Sequence, residues 1–561
     1  MKCHKFRGKC EPAAEGWMKK RWIALSLAAL LCAGGGWAFQ ANKYRLPGLL
    51  QDWRDPVQPN RPVVWQAAPT PPPQGQRLPN IILIVADDLG FNDISLNGGG
   101  VAGGIVQTPN IDAIAREGVR FTTAYAANAT CSPSRAAMLT GRYPTRFGFE
   151  YTAVPVQFAE NLAHGGGTGP LPAIFHGERI TPDIPAYPDM GVPESEVTIA
   201  EAVKAAGYHT IHIGKWHLGE APRLQPQSQG FDESLAVLAG GAMYLPEDDP
   251  DAVNAKLPWD AIDRFIWANL RHAVTFNGSG RFHPKGHMTD YFADEAIKAI
   301  EANQGRPFFL YLAFNAPHTP LQATRADYDR LPQIRDHKTR VYGAMIAQLD
   351  RRIGDVMAKV KALGLDDDTL VIFTSDNGGA WYNGIAHLNA PYRGWKATFF
   401  EGGIRTPLFL RWPGRIAPGS ERTDMAGHLD IFATIAAAAG ARLPTDRAID
   451  GEDLLAGPVK RSALFWRSGD YRAVRAGDWK LQVTKRPERA RLYNLAADPY
   501  ERDDLSAREP GRVAELSAMI EAQNRDMAKP IWPGLIEGPV RVDVPLNAPW
   551  RDGQDYVYWT N

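Results

Sequence analysis

The sequence predicts an α/β fold: a large mixed, mostly parallel sheet sandwiched by helices, with a smaller C-terminal α+β domain that carries an antiparallel sheet. Three observations predict it. Short apolar runs recur at Ile81–Val85, Tyr208–Ile213, Pro307–Phe314, Leu370–Phe373 and Pro407–Leu410, each the pattern of a strand buried on both faces. Segments of helical period lie between them, and strands alternating with helices imply parallel pairing under two helical layers. After about residue 460 the texture shifts to short alternating segments separated by turn residues, the pattern of an antiparallel sheet.

At the N-terminus, Lys19, Lys20 and Arg21 precede an apolar run from Trp22 to Ala33, and glycines follow. A basic flank, an apolar stretch and small residues make a secretory signal. The run is short of the roughly 20 residues a spanning helix needs. Residues 1–39 are therefore expected to be a signal peptide, or an uncleaved membrane anchor if the run extends through Phe39. The protein is expected to be exported, periplasmic or secreted. Met18 offers a second start, which would leave residues 1–17 untranslated. Residues 40–78, rich in Pro, Gln and Ala and ending in Pro71-Pro72-Pro73, read as a linker without regular structure.

The main domain is expected over 79–459. Its helices are Pro109–Glu117 and Val197–Ala206, closing at Gly118 and Gly207 as glycine C-caps, then Thr289–Asn303, Thr339–Leu363 and Leu429–Ala439, amphipathic at helical period. Two stretches rich in Gly and Pro, Gln157–Pro193 and Pro222–Pro284, fit the alternation poorly. They are expected to be loops walling a substrate cleft. A C-terminal subdomain with its tail is expected over 460–561. Ala463–Trp466, Tyr471–Arg475 and Trp479–Val483 are its strands, and Ala507–Gln523 its helix. A Pro- and Trp-rich tail from Pro530 packs along the surface.

Lys plus Arg balance Asp plus Glu at 62 each. That charge argues against a surface that wraps a polyanion, so no nucleic-acid partner is expected. Of the four cysteines, Cys3, Cys10 and Cys32 lie in or before the leader, leaving Cys131 alone in the body with no disulfide partner. A lone thiol in an oxidising compartment is a liability unless it is buried or chemically altered.

In open α/β sheets, ligands bind beyond the carboxyl ends of the strands. The residues that follow the apolar runs there are Asp87 and Asp88, then Lys215, Trp216 and His217, then His318, then Asp376 and Asn377. Adjacent acids repel unless a cation or a raised pKa relieves them, and all-oxygen donors suit a hard divalent ion. An isolated Asp-Asp pair is more often a turn or a cap; the matching positions after separate strands favour a metal. Cys131-Ser132-Pro133-Ser134-Arg135 opens an apolar pattern that stops at Gly141. A helix starting there would present N–H groups and positive dipole to an anion.

Cys131 through Arg142, CSPSRAAMLTGR, resembles the signature of the sulfatase family, in which Cys-x-Pro-x-Arg tags the cysteine for oxidation to formylglycine. Further segments similar to the family follow in order: Ala86–Gly90, Gly214–Gly219, Pro317-His318, Ser375–Gly379, Arg393–Lys396 and Glu401–Pro407. The resemblance covers roughly Asn80 to Leu505 and ends in Leu492–Leu495 and Asp498-Pro499. It implies a sulfuric ester hydrolase of the alkaline phosphatase superfamily, acting on aryl or carbohydrate sulfates through a formylglycine gem-diol at residue 131.

By the same resemblance, Asp87, Asp88, Asp376 and Asn377, with the residue-131 oxygen, hold Ca²⁺ (Mg²⁺ less readily). Arg135 fixes the diol, and Lys215 and Lys396 neutralise the sulfate oxygens. His318, with Lys396, protonates the leaving oxygen, and His217 takes a proton from the second hydroxyl. Arg393 and Arg405 stand further out. Trp381, Tyr382 and His387 either line the leaving-group pocket or pack beside it. A formylglycine-generating enzyme is the implied partner in maturation. The competing readings are a phosphonate or phosphate-ester hydrolase of the same superfamily, and a binding protein in which Cys131 stays unconverted.

Overall fold

The computed structural model describes residues 21–22, 25–26, 46–68, 78–165 and 170–561. Most of the leader run and Pro71-Pro72-Pro73 lie outside these residues. No helix among them is long and apolar enough to cross a membrane. The chain divides into two units, Met1–Pro56 and Val57–Asn561.

In the first unit, Leu46–Arg54 is a helix, where a structureless linker was expected. The second unit takes up residues 57–68 of that expected linker. Trp65 is buried, donates from Nε1 to Glu295 at 2.9 Å and meets Phe276 edge-to-face. A single aromatic with a partner for its N–H gives this segment burial that its Pro-rich composition does not suggest.

The large sheet has nine strands: β1 (Asn80–Ala86), β2 (Val119–Phe121), β3 (His209–Lys215), β4 (Glu233–Val237), β5 (Thr275–Phe276), β6 (Phe308–Ala313), β7 (Thr369–Ser375), β8 (Leu408–Arg411) and β9 (Ser420–Arg422). Their spatial order is β9-β2-β8-β7-β1-β6-β3-β4-β5. The central strands β7, β1, β6, β3 and β4 pair in parallel, while β8 and β5 run antiparallel to their inner neighbours. Every residue of β1, β3, β6 and β7 is buried, which is why their apolar runs are continuous.

Seven helices matter here: α1 (Pro109–Arg116), α2 (Cys131–Thr140), α3 (Ile199–Ala205), α4 (Met288–Asn303), α5 (His337–Ala362), α6 (His428–Ala439) and α7 (Pro510–Arg525). On one face Ile82, Ile84, Leu310, Leu312 and Phe373 pack with α1, α4 and α5. On the other Leu83, Val85, Phe309, Tyr311 and Ile372 pack with α2, α3 and α6. The expected sandwich is therefore the observed one.

The stretches expected to be loops hold more structure than their composition implies. Pro222–Pro284 supplies β4 and β5 to the sheet edge, as well as the strand Ala252–Ala255 and the helix Asp263–Asn269. Short strands such as β5, two residues long, are set by pairing rather than by pattern.

Past residue 460, β10 (Ala463–Ser468), β11 (Tyr471–Ala476), β12 (Trp479–Lys485) and β13 (Glu488–Asn494) form an antiparallel meander. Leu516 and Ile520 of α7 cover it. The tail does more than lie along the surface. Its strands β14 (Ile536–Arg541) and β15 (Tyr556–Thr560) pair with each other, and β14 also pairs with Ile174–Phe175.

Candidate active site

The carboxyl ends of β1, β7, β6 and β3 meet the start of α2. Asp87 and Asp88 follow β1, Asp376 and Asn377 follow β7, and all four are fully buried. Asp88 has φ 61, and its N–H donates to Asp376 Oδ1 at 3.1 Å. Cys131 is the first residue of α2, which ends on the left-handed Gly141, and its thiol is the free, buried cysteine of the described residues.

The sulfur lies 3.5 Å from Asp87 Oδ1 and 3.8 Å from Asp88 Oδ1. The second oxygen of each acid faces a lysine: Lys215 Nζ donates to Asp87 Oδ2 at 2.6 Å, and Lys396 Nζ to Asp88 Oδ2 at 2.8 Å. One turn along α2, Arg135 donates from Nε to Asp376 Oδ2 at 2.9 Å and from Nη1 to Tyr311 Oη and Lys215 O, each at 3.3 Å. Lys215 reaches this position because Gly214, φ 113, lets β3 press against β6; a Cβ there would sit 1.8 Å from Ala313 O.

Both imidazoles flank the group. His217 Nε2 donates to Ala153 O at 3.0 Å, which leaves Nδ1 bare and without a partner. Gly240, from the expected cleft wall, touches its ring: a Cβ there would lie 2.6 Å from Nε2. His318 Nδ1 donates to Thr319 O at 2.6 Å, and its Nε2 stands 3.7 Å from Asp88 Oδ2. Burial and Lys215 hold the His217 imidazole well below its usual range. Burial, aided by Lys396, brings His318 down to about 4 against the pull of Asp87 and Asp88. Burial thus favours the neutral form of both rings.

The carboxylates are pulled apart electrostatically. Burial opposes ionisation of Asp87 and Asp88, but the neighbouring cations, chiefly Lys215 at Asp87 and Lys396 at Asp88, outweigh it and hold them low. For Asp376, burial and the charge of Asp87 win over Arg135 and lift it to about 7. Burial also pushes the Cys131 thiol up, so the encoded residue is a poor thiolate nucleophile. Lys396 is held charged by Asp88 despite its burial.

A divalent cation fits this set. Asn377 Oδ1 is buried with no hydrogen-bond partner, and its Nδ2 donates to Asp88 Oδ1 at 2.8 Å; an open amide oxygen beside the Asp87, Asp88 and Asp376 carboxyls is hard-ion chemistry. Ligand atoms of Asp87, Asp88, Cys131 and His318 lie within 4.8 Å of one another.

Of the residues read from sequence, Asp87, Asp88, Cys131, Arg135, Lys215, Asp376, Asn377 and Lys396 are joined by direct contacts, with His217 and His318 at the rim. Arg393 and Arg405 belong elsewhere: Arg393 pairs with Asp543 and Arg405 with Glu401, at 2.6 and 2.7 Å. His387 is exposed. Tyr382 is the one aromatic of its segment in the cluster. Its hydroxyl donates to Asp88 Oδ2 at 2.8 Å and accepts from Lys396 at 3.1 Å. Tyr311 escaped sequence reasoning, although alternation along β6 places it on the α2 side of the sheet.

Comparison with known proteins agrees with this geometry. Residues 79–441 match the family model Sulfatase, and residues 393–529 match that of N-sulphoglucosamine sulphohydrolase, C-terminal. The chain is 33% identical over 416 residues to N-acetylgalactosamine-6-sulfatase of Mus musculus, covering 72% of each chain. It is 34% identical over 465 residues to steryl-sulfatase of the same organism, covering 71% of this chain and 68% of that one. Among solved structures, Ps i-CgsB in complex with k-i-k-neocarrahexaose superposes with a TM-score of 0.68 at 30% identity, over 81% of this chain and 95% of that chain. With its catalytic fold, its buried cluster and its relatives all in agreement, the chain belongs to the sulfatase family of sulfuric ester hydrolases.

Proposed function

We propose that this sulfatase is exported and cleaves sulfate monoesters of carbohydrates, using a formylglycine made from Cys131 and a Ca²⁺ held by Asp87, Asp88, Asp376 and Asn377. The observation that carries the reading is the placement of Cys131 Sγ against one oxygen each of Asp87 and Asp88, whose other oxygens face Lys215 and Lys396. Hydrated formylglycine supplies two hydroxyls on one carbon, one to attack sulfur and one to release sulfate afterwards, which a thiol cannot do. Bound calcium supplies charge that acidifies the attacking hydroxyl and balances the sulfate oxygens.

The chain's own residues do the rest. Arg135 orients the group at residue 131 through the start of α2. Lys215 and Lys396 bind the sulfate oxygens and stabilise them as charge shifts. Lys396, which stays charged, donates to the leaving oxygen, joined by His318 once the anionic ester favours its protonation. His217, with Nδ1 bare, accepts the proton whose removal frees the sulfate. The tag Cys131-Ser132-Pro133-Ser134-Arg135 supports maturation by a formylglycine-generating enzyme. The basic and apolar leader supports export.

Carbohydrate is favoured because N-acetylgalactosamine-6-sulfatase and an oligosaccharide-bound structure are among the chain's relatives. The similarity to steryl-sulfatase keeps non-carbohydrate sulfate esters as the second reading, for which an aryl sulfate is the test compound. Two measurements test the proposal: the peptide mass at residue 131, and turnover of sulfated mono- and disaccharides beside an aryl sulfate and a phosphonate ester. Aldehyde at 131 with preference for a sugar sulfate is expected. A free thiol in the active protein, or faster phosphonate cleavage, overturns it.

A further inference from the structure

The loop between β14 and β15 is built with unusual care for a tail segment. The Arg541 guanidinium donates to four of its carbonyls: Pro545, Leu546 and Ala548 from Nη2 at 2.8–2.9 Å, and Pro549 from Nη1 at 3.2 Å. The loop so gathered faces the turn Trp381–Gly384. Leu546 N–H donates to Trp381 O at 2.9 Å, and Asn547 Nδ2 donates to Gly384 O at 3.2 Å. Trp259 Nε1 takes the intervening Tyr382 O at 2.8 Å. The approach is close enough to require glycine: at Gly384, φ 70, a Cβ would lie 2.6 Å from the Trp259 ring and 2.9 Å from Asn547 Nδ2.

Three of the turn's carbonyls are thus held from distant parts of the chain, and the side chain that the turn presents is Tyr382. Its buried hydroxyl bridges Asp88 Oδ2 and Lys396 Nζ. A displacement of the turn is a displacement of this phenol, and misplacement of about 1 Å near reacting groups is costly. We propose that loop 545–549 is a working part of the active site, with Asn547 a positioning residue that acts through Tyr382 on Asp88. The inference rests on the reading of Asp88 as a calcium ligand, since a partner that orients a ligating carboxylate tunes metal affinity.

A double-mutant cycle read by calcium calorimetry tests it. Tyr382→Phe is expected to weaken calcium binding about tenfold, the effect of losing one such partner. Asn547→Ala, which removes one exposed amide, is expected to weaken it about threefold in the wild-type background and not at all beside Tyr382→Phe, because residues in one network are non-additive. Asn547→Gln, which keeps the donor, should retain more affinity than Asn547→Ala. Equal losses in both backgrounds, or no loss from Asn547→Ala, overturn the proposal. Failure of the wild-type protein to bind calcium at all sinks the functional reading and this inference together.

Discussion

Among the described residues, the buried charge cluster at the strand tips and the one that joins the sheet to the C-terminal meander are finished differently. At the meander, Glu401 accepts from Lys480 at 2.8 Å on Oε1, and from Arg405 at 2.7 Å and Tyr125 at 2.8 Å on Oε2. Glu501 accepts from Gln482 at 3.0 Å on Oε1 and from the Glu401 N–H at 2.6 Å on Oε2, and Lys480 lies 3.0 Å from Oε1. Arg475 contacts the Tyr125 hydroxyl. All four carboxylate oxygens hold a donor.

At the strand tips, by contrast, Asn377 Oδ1 and His217 Nδ1 have no partner, and Asp87 Oδ1 faces a sulfur at 3.5 Å. A buried polar group left open costs stability. The closed cluster is complete within the fold, and the open acceptors at the strand tips are the atoms that a cation or a substrate proton would use.

The sharpest way to break this comparison is at its open end. Cys131→Ala is expected to lower sulfate ester turnover at least about ten-thousandfold, in line with loss of a covalent nucleophile, and to leave the denaturation midpoint nearly unchanged. Substantial residual turnover would move the chemistry away from residue 131. The closed cluster should respond in the opposite sense. Lys480→Met leaves Glu401 and Glu501 facing each other without their shared cation, and breaking a buried pair costs about 3–5 kcal/mol. Urea denaturation should show that loss, while kcat/KM of the folded enzyme stays at the wild-type value. A fall in kcat without a fall in stability would merge the two clusters into one.

How much of this was readable before the structure depends on what wrote it. The central strands were readable because burial on both faces forces continuous apolar runs, as in Ile81–Val85. The strand-tip residues were readable because topology alone sends Asp87, Lys215, His318 and Asp376 to one edge. The outer strands β4 and β5 were not, since Glu233–Val237 and Thr275–Phe276 owe their conformation to their neighbours' hydrogen bonds. Trp65 and the tail strands were hidden by Pro-rich composition. Tyr382 was visible only as one of several aromatics, because its role depends on contacts with residues 294 and 14 positions away. Arg393 and Arg405 stood further out by motif, and their partners are carboxylates outside the site: Asp543 of the tail and Glu401, four residues before Arg405.

A smaller effect sharpens the comparison from the calcium side. Calcium at about a hundred times its Kd should stabilise the wild-type protein by about 2.7 kcal/mol. Asp87→Asn should lose that increment and turnover together, as seen by thermal melts with and without chelator. If the variant keeps the full calcium shift while losing turnover, Asp87 serves the chemistry without holding the ion.

The smallest effect concerns a third solution to the same problem. Asp93 is fully buried and has no cation within salt-bridge distance among the described residues. Its Oδ2 accepts from Gly90 N–H at 2.7 Å and Tyr342 Oη at 2.6 Å, and its Oδ1 has no partner. Burial, opposed only by those two hydrogen bonds, lifts the carboxyl to about 7. Glu401 solves burial with cations, Asp88 with lysine and an expected metal, and Asp93 with a proton. Because its folded pKa lies above the unfolded value of about 3.9, the folded state binds the extra proton between those limits. The stability this confers is fully present below about pH 3.9 and lost as pH rises through about 7. Asp93→Asn keeps an acceptor for both donors and cannot ionise. Between pH 4 and 7, at constant calcium, its stability should therefore fall less steeply than that of the wild type, by at most about 1.4 kcal/mol per pH unit. Parallel curves for the two proteins would mean that Asp93 is already ionised in the folded state, and that an uncompensated buried charge is tolerated within a few residues of the active-site acids.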